Sequence, residues 1–346
     1  MILAAFGVTS AVAALVMLGV VARRVTRRLR EARVRRLTAQ HRPLLLSLVA
    51  GDPPEAREAA TAVAALDTAS WRVLEPAVVA LLAKVRGEGH EEVVRLLGTR
   101  GVLVRARRDL HRRRASRRAA AADLLGRAQV PGTVRSLVRL LDDRDADVRH
   151  VAARSLGRLG SASAVPSLLR ALAAEPPRVP PAAVAQALLR IGPAGAPDLL
   201  TAVDHPVAVV RSTVVVVLGR LGVTGAGTAL RGLLAGDPLT DVRCLAATAL
   251  GALGMPGAVP DLVRATRPGS PGALRVAATR ALGDLGASST VAVLDGLLHD
   301  PDARVATEAG HALLGLGVPR ADVLARSTPS SVVAVAERVP ALTGAA

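Results

Sequence analysis

The sequence predicts an all-α fold: an α-solenoid of stacked helix pairs, preceded by a single transmembrane helix. Three observations lead to this prediction. The chain opens with a 22-residue apolar segment, a helix-pair pattern recurs every 30 to 32 residues, and 51% of residues are hydrophobic although only 1% are aromatic. A core built from Leu, Val and Ala suits closely stacked helices, and Ala and Leu are strong helix formers.

The first element is the apolar segment 1–22, which contains no charged side chain. As a helix it would be about 33 Å long, enough to cross a hydrocarbon core of about 30 Å. A secretory signal would place its positive charge before the apolar run, whereas here the arginines follow it. Because positive flanks stay cytoplasmic, we predict one span at the inner membrane, with the N-terminus outside and the rest cytoplasmic. The alternative is a buried hairpin, but nothing nearby would cover it.

A basic juxtamembrane segment, 23–42, comes next. Residues 1–118 hold 22 Arg and Lys84 against 10 acidic residues, so they carry +13 of the net charge of +17. Such asymmetry indicates contact with a membrane surface or nucleic acid. The predicted contacts with anionic lipid headgroups are Arg23, Arg24, Arg27, Arg28, Arg30, Arg33, Arg35 and Arg36.

Internal repeats organise the rest of the chain. The segment 239–266, LTDVRCLAATALGALGMPGAVPDLVRAT, shows the pattern: Val-Arg, an Ala soon after, Leu-Gly-x-Leu-Gly, a short turn and a second apolar run. Each unit therefore predicts two helices, the first ended by glycine and the second begun by a proline such as Pro166 or Pro260. The closing glycines are Gly160, Gly192, Gly222, Gly254, Gly286 and Gly317.

This pattern resembles HEAT repeats of the short bacterial kind that is also found in phycobilin lyases. The resemblance is specific over 115–317, degenerate over 43–114, and followed by predicted capping helices and a tail over 318–346. It implies a structural ladder in which the arginine of each Val-Arg pair meets an aspartate of a neighbouring repeat. The arginines in these positions are Arg118, Arg149, Arg211, Arg243 and Arg275.

Several enzyme classes lack their required residues. Lys84, the only lysine, is followed by Val85, so there is no phosphate-binding Gly-Lys-Ser/Thr loop, and no Gly-x-Ser-x-Gly, His-Glu-x-x-His or Cys-x-x-Cys occurs. The single His90-Glu91 pair cannot hold two irons as deoxyhypusine hydroxylases do. We therefore predict no catalytic residue, no cofactor, no metal and no enzyme activity. The lone Cys244 fits a reducing compartment.

A second basic cluster lies between residues 105 and 118. It is either a solvated face or a patch for an anionic partner, whether lipid or a phosphate backbone. The candidate patch consists of Arg105, Arg107, Arg108, Arg112, Arg113, Arg114 and Arg117.

Together these features favour a membrane-anchored cytoplasmic scaffold or adaptor, which binds an unknown protein partner at the inner membrane surface. Two alternatives remain: a nucleic-acid binder that contacts only the phosphate backbone, and an enzyme of the lyase or hydroxylase type. HEAT resemblance implies scaffolding by analogy alone, because a fold does not fix a function.

Overall fold

The computed structural model of the protein describes residues 17–21, 23–26, 28, 32, 34–50 and 52–327. Within these residues every regular element is helical, with no strand. The chain divides into two compact units, residues 1–111 and 112–346, which are described separately below. The predicted domain boundaries stay predictions.

The first unit has five helices that follow the basic segment. Asp67 caps the third of them by accepting hydrogen bonds from the amides of Ala69 (2.8 Å) and Ser70 (3.0 Å). The second and fourth helices pack against each other as the first helices of two repeats would. The five helices are α1 (Arg42–Ala50), α2 (Pro53–Ala64), α3 (Thr68–Leu81), α4 (Gly87–Thr99) and α5 (Val102–Asp109).

The predicted single-pass localisation at the inner membrane is wrong for the structure described. No helix within the described residues is long and apolar enough to cross a membrane. The described apolar residues that precede Arg23 are 17–21, about 7.5 Å of helix against a hydrocarbon core of about 30 Å. The remainder of the predicted span, 1–16 and Ala22, lies outside the described residues.

The arginines of segment 23–42 are only partly described. Arg27, Arg30 and Arg33 lie outside the described residues. Their contact with anionic lipid stays a prediction. The other five are exposed on helical backbone: Arg23, Arg24, Arg28, Arg35 and Arg36.

The second unit is built of successive helix pairs in two layers. The first helices of neighbouring pairs pack side by side in one layer, and the second helices form the other layer. The first helices are α6 (Ala115–Arg127), α8 (Ala146–Leu159), α10 (Pro181–Ile191), α12 (Ala208–Leu221), α14 (Thr240–Ala252), α16 (Gly272–Asp284) and α18 (Ala303–Gly315). The second helices are α7 (Val134–Arg139), α9 (Val165–Ala173), α11 (Ala196–Thr201), α13 (Gly227–Gly236), α15 (Val259–Ala265), α17 (Val291–Leu297) and α19 (Arg320–Arg326).

At five joints between neighbouring first helices, a glycine lies against an alanine or, for Gly126, against Ser155. A Cβ atom added to Gly251 on α14 would lie 2.8 Å from Ala281 Cα on α16, and one added to Gly157 on α8 would lie 2.7 Å from Ala187 Cα on α10. Real side chains do not approach that closely, so these positions require the absence of a Cβ. We call these contacts the glycine seam. Its glycines are Gly126, Gly157, Gly219, Gly251 and Gly283.

The turns within each pair follow the sequence prediction. Gly160 and Gly222 end α8 and α12 with φ of 66° and 70°, in the left-handed region that glycine enters without a steric penalty. The four other predicted closing glycines also have positive φ. Pro166 and Pro260 stand in the first turn of second helices, where a missing N–H costs nothing.

Candidate protein-docking surface

Three of the predicted ladder arginines form buried ion pairs. Arg211 Nε and Nη2 donate to Asp237 Oδ2 and Oδ1 at 2.6 and 3.1 Å. Arg118 makes the same paired contact with Asp143, both distances being 2.7 Å. Their remaining Nη1 groups donate to backbone carbonyls five and six residues earlier. Each guanidinium is thus held on several sides.

The third pair, Arg275 and Asp300, is joined through Nη1 and Oδ2 at 2.8 Å. In all three pairs the arginine lies in the first turn of a first helix, and the aspartate lies in the turn after the second helix of the same pair. The other oxygen of Asp300 accepts from the amide of Asp302, the N-cap of the next first helix. The ion pairs therefore tie one helix pair to the start of the next.

These contacts shift the pKa of the paired groups. The hydrogen bond from Arg118 holds the pKa of Asp143 below its ordinary value. For Asp237, burial raises the pKa, but the hydrogen bonds from Arg211 and the Leu239 amide outweigh it, so the pKa is lowered. Both aspartates consequently remain ionised at neutral pH.

Arg149 and Arg243 differ from the other ladder positions. Arg149 Nε donates to the carbonyl of Arg178 at 2.6 Å, and Arg243 Nε donates to the carbonyl of Leu234 at 3.1 Å. The acids of the three pairs follow their arginines by 25 or 26 residues; after Arg243 these positions are Pro268 and Gly269, and after Arg149 they are Ala174 and Glu175, with no ion pair between Arg149 and Glu175 in the described residues. A common ladder role for all five arginines stays a prediction.

Open clefts lie between successive second helices of the second unit. The cleft between α9 and α11 has a volume of about 360 Å³ and is lined by Pro166, Leu169, Arg170, Asp198 and His205, among others. Mixed apolar and polar linings of this kind are typical of binding surfaces.

A neighbouring cleft, between the end of α7 and α9, has a volume of about 300 Å³. Ser167 and Arg170 line it from α9, and an ion pair between Asp142 and Arg178 stands at its rim. Because Arg170 lines both clefts, one exposed cation connects them. We call the two clefts with their lining residues the second-helix surface.

The predicted anionic-partner patch is not one helix. Helix α5 ends at Asp109 and α6 begins at Ala115, so the cluster includes an irregular link between them. Arg105, Arg107 and Arg108 belong to the first unit, and the remaining four, all exposed, belong to the second. Arg105 Nη2 donates to Glu75 at 2.7 Å, which offsets its charge. Binding of an anion by this patch stays a prediction.

Trp71, the only tryptophan, is 4% exposed and packs in the first unit. The guanidinium carbon of Arg100 lies 4.7 Å from its ring centroid, a cation–π contact. Arg100 also donates to the carbonyls of Ala64 (3.2 Å) and Leu66 (2.9 Å). The indole is therefore a core group of the first unit.

Among the described residues, no group of three or more His, Cys, Asp or Glu side chains could hold a metal ion. His90 lies in the first turns of α4 beside an exposed Glu91.

The family assignment rests on direct sequence matches. A family model described as HEAT repeats matches residues 110–189, 196–271 and 228–314, which together make up more than half of the chain. The chain belongs to the HEAT-repeat family. Among curated proteins, none matches it.

The chain is also similar to several solved structures. The chain is 25% identical to the phycocyanin lyase complex of CpcE and CpcF from Nostoc sp., over 68% of this chain and 92% of that one, with a TM-score of 0.33. It is 18% identical to human deoxyhypusine hydroxylase, over 82% and 98%, with a TM-score of 0.33. It is 14% identical to importin beta, over 86% of this chain but only 49% of that one, with a TM-score of 0.49.

These similarities correct one prediction. The prediction that the chain is not an enzyme, which rests on missing motifs, is wrong, because the solved structures similar to it include a lyase and a hydroxylase. Missing sequence motifs exclude particular active sites, and the fold itself excludes none. The similarities show the fold alone.

Proposed function

We propose that this HEAT-repeat protein is a scaffold that binds a protein partner on the second-helix surface. The observation that carries the proposal is the pair of adjoining clefts that share Arg170. HEAT repeats present a series of equivalent helices, so a partner can contact several units at once. An exposed arginine between apolar walls is the kind of residue enriched at protein interfaces.

The charges of the clefts favour a specific partner over nonspecific adhesion. Arg170 is exposed and has no ion pair within the described residues, and Asp198 on the next helix has none either. The two side chains line the same cleft, so the surface offers a donor and an acceptor beside Leu169 and Pro166. A partner segment with an apolar side chain flanked by polar groups would satisfy all of them.

Site-specific photo-crosslinking tests this proposal. A photoreactive residue replaces Ser167, which lines a cleft, or, as a control, Thr248, which is exposed on first helix α14. We expect a discrete adduct at position 167 in cells that express the protein, none at position 248, and loss of the adduct when Arg170→Glu is added. The adduct is identified by mass spectrometry and its binding is then measured with both purified proteins. Equal labelling at the two positions would contradict the proposal.

A further inference from the structure

A row of arginines lies along one edge of the second unit. Four successive first helices, α6, α8, α10 and α12, each have an arginine in their last turn. In chain order these arginines are Arg127, Arg158, Arg190 and Arg220. Each precedes by two residues the positive-φ residue that ends or follows its helix. The four side chains therefore share one register, and we call them the arginine row.

The first two members of the row, Arg127 and Arg158, share a single acidic partner. Asp123 on α6 receives Arg127 Nη2 at 2.7 Å, Arg158 Nη1 at 2.8 Å and, from the same helix as Arg158, Arg154 Nη2 at 3.0 Å. Burial raises the pKa of Asp123, but the hydrogen bond from Arg158 and the neighbouring charges lower it more. Three cations thus converge on one carboxylate and leave a surplus of positive charge.

The other two members have no such acid. Arg190 and Arg220 are exposed and form no ion pair within the described residues. The turns that follow the four helices, residues 128–133, 160–164, 192–195 and 222–226, contain neither Asp nor Glu. The second helices that begin at this edge add Arg135 and Asp198, whose charges cancel. The edge is therefore strongly positive.

Helix stability alone does not explain the row. A cation in the last turn does interact favourably with the helix dipole, by about 0.3–1 kcal/mol. Yet α14, α16 and α18 carry no basic residue in their last turn, and α16 ends at Asp284. Neighbouring first helices of the same unit thus end without an arginine, and the row is confined to four consecutive helices.

The spacing of the row points to a particular ligand geometry. Packed helices lie about 8–10 Å apart, so successive row members recur at about that distance. In an extended polyproline-type chain, every third residue recurs at about 9.3 Å. Guanidinium groups bind carboxylates through paired hydrogen bonds. We propose that the arginine row binds an extended acidic segment of a partner protein, with a carboxylate at about every third residue.

A nucleic-acid backbone fits the row less well. Each strand of a duplex carries one phosphate for about every 3.4 Å of helix axis, so the phosphates are more closely spaced along the axis than the arginines are along the row. Single-strand recognition uses aromatic stacking, and residues 112–346 contain no aromatic residue. The inference rests on the proposed function and adds the chemistry of the partner at a second surface.

Fluorescence anisotropy with synthetic peptides tests the inference. The probe is a fluorescein-labelled peptide of four Glu-Pro-Pro repeats, and its control has the same composition with the four glutamates contiguous. The full chain should bind the repeat peptide at least fivefold more tightly than the control. The double substitution Arg190→Glu and Arg220→Glu should weaken binding at least tenfold. The matched double substitution Arg139→Glu and Arg267→Glu, at exposed positions away from the row, should change it less than twofold.

Three outcomes would overturn the inference. The chain could bind the repeat peptide no more tightly than the control peptide, or the two double variants could lose the same amount of affinity for the repeat peptide. The third outcome is that the chain binds a 16-base-pair DNA duplex more tightly than the repeat peptide, through Arg190 and Arg220. Crosslinking at position 167 separates this inference from the proposed function. If the adduct at that position persists while neither peptide binds, the arginine row is refuted and the second-helix surface stands. If the peptide binds in register but no adduct forms, the second-helix surface is refuted and the row stands.

Discussion

The glycine seam gives a stability prediction whose size can be worked out from the structure. The change is Gly251→Ala on α14. The new Cβ would lie 2.8 Å from Cα, 3.0 Å from Cβ and 3.2 Å from the carbonyl oxygen of Ala281 on α16. The optimum separation of carbon atoms is about 3.5–4.0 Å, so the two helices must move apart by about 0.7 Å or more. Backbone atoms cannot rotate away as a flexible side chain could.

Two opposing effects set the magnitude. Alanine is the better helix former by about 1 kcal/mol, which favours the variant. Overpacking of a close contact costs about 1–3 kcal/mol, and two of the three clashing atoms here are backbone, so we take the upper half of that range. Overpacking therefore wins, and the net free energy of unfolding falls by about 1–2 kcal/mol.

Gly232→Ala on α13 is the matched control. Gly232 is exposed and no neighbouring atom lies within 4 Å of the Cβ it would gain, so only the helix-propensity gain of about 1 kcal/mol applies. Urea unfolding followed by far-ultraviolet circular dichroism measures both variants. We expect the two midpoints to move in opposite directions, with unfolding free energies about 2–3 kcal/mol apart. If Gly251→Ala stabilises the protein as Gly232→Ala does, the close approach of first helices is not sterically required and the reasoning fails.

Three more predictions follow from single contacts. Asp237→Asn leaves Arg211 without its carboxylate partner in a buried site and should lower the unfolding free energy by about 3–5 kcal/mol. The control is Glu308→Gln, whose arginine partner is largely exposed, and it should cost less than about 1 kcal/mol. Urea unfolding of the two variants measures the difference. Folding lowers the pKa of Asp237, so the stability that Asp237 contributes is present above the unfolded-state pKa of about 3.9 and is lost as pH falls through the lower folded-state pKa. At pH values below about 4 the urea concentration at the unfolding midpoint should therefore decrease, and Asp237→Asn should make that decrease smaller. Arg100→Leu removes two hydrogen bonds to carbonyls and the contact with Trp71, and should destabilise the first unit by about 1–3 kcal/mol, measured by tryptophan fluorescence; an unchanged midpoint would contradict it.

The repeat architecture could be predicted from the sequence because its signals are local and recur. Gly160 and Gly222 end helices as expected, and Pro166 begins one. The arginine of the Val-Arg pair was likewise visible as a column. Its acidic partner was harder to find, because Asp237 lies 26 residues after Arg211 in a turn that the helical periodicity does not mark.

The membrane prediction relied on a charge-free apolar segment followed by arginines, and the described residues hold no helix that meets the requirement. The second-helix surface could not be predicted either, since clefts depend on how far apart neighbouring helices lie. The register of Arg190 and Arg220 is present in the sequence, two residues before a glycine in each case. Its meaning emerges only once successive first helices are known to lie side by side, as the packing of α8, α10 and α12 shows.

The glycine seam also gives the stack a polarity. Five first helices present a glycine to the helix that follows, and that helix meets it with an alanine or serine, so each of these joints runs from head to tail. On α10 and α18 the equivalent positions are Leu189 and Leu314, each three residues before the closing glycine as Gly251 is before Gly254. Helix α10 nevertheless packs against α12, so the glycine seam falls into two runs, α6 to α10 and α12 to α18, which meet at a joint with a leucine in place of the glycine.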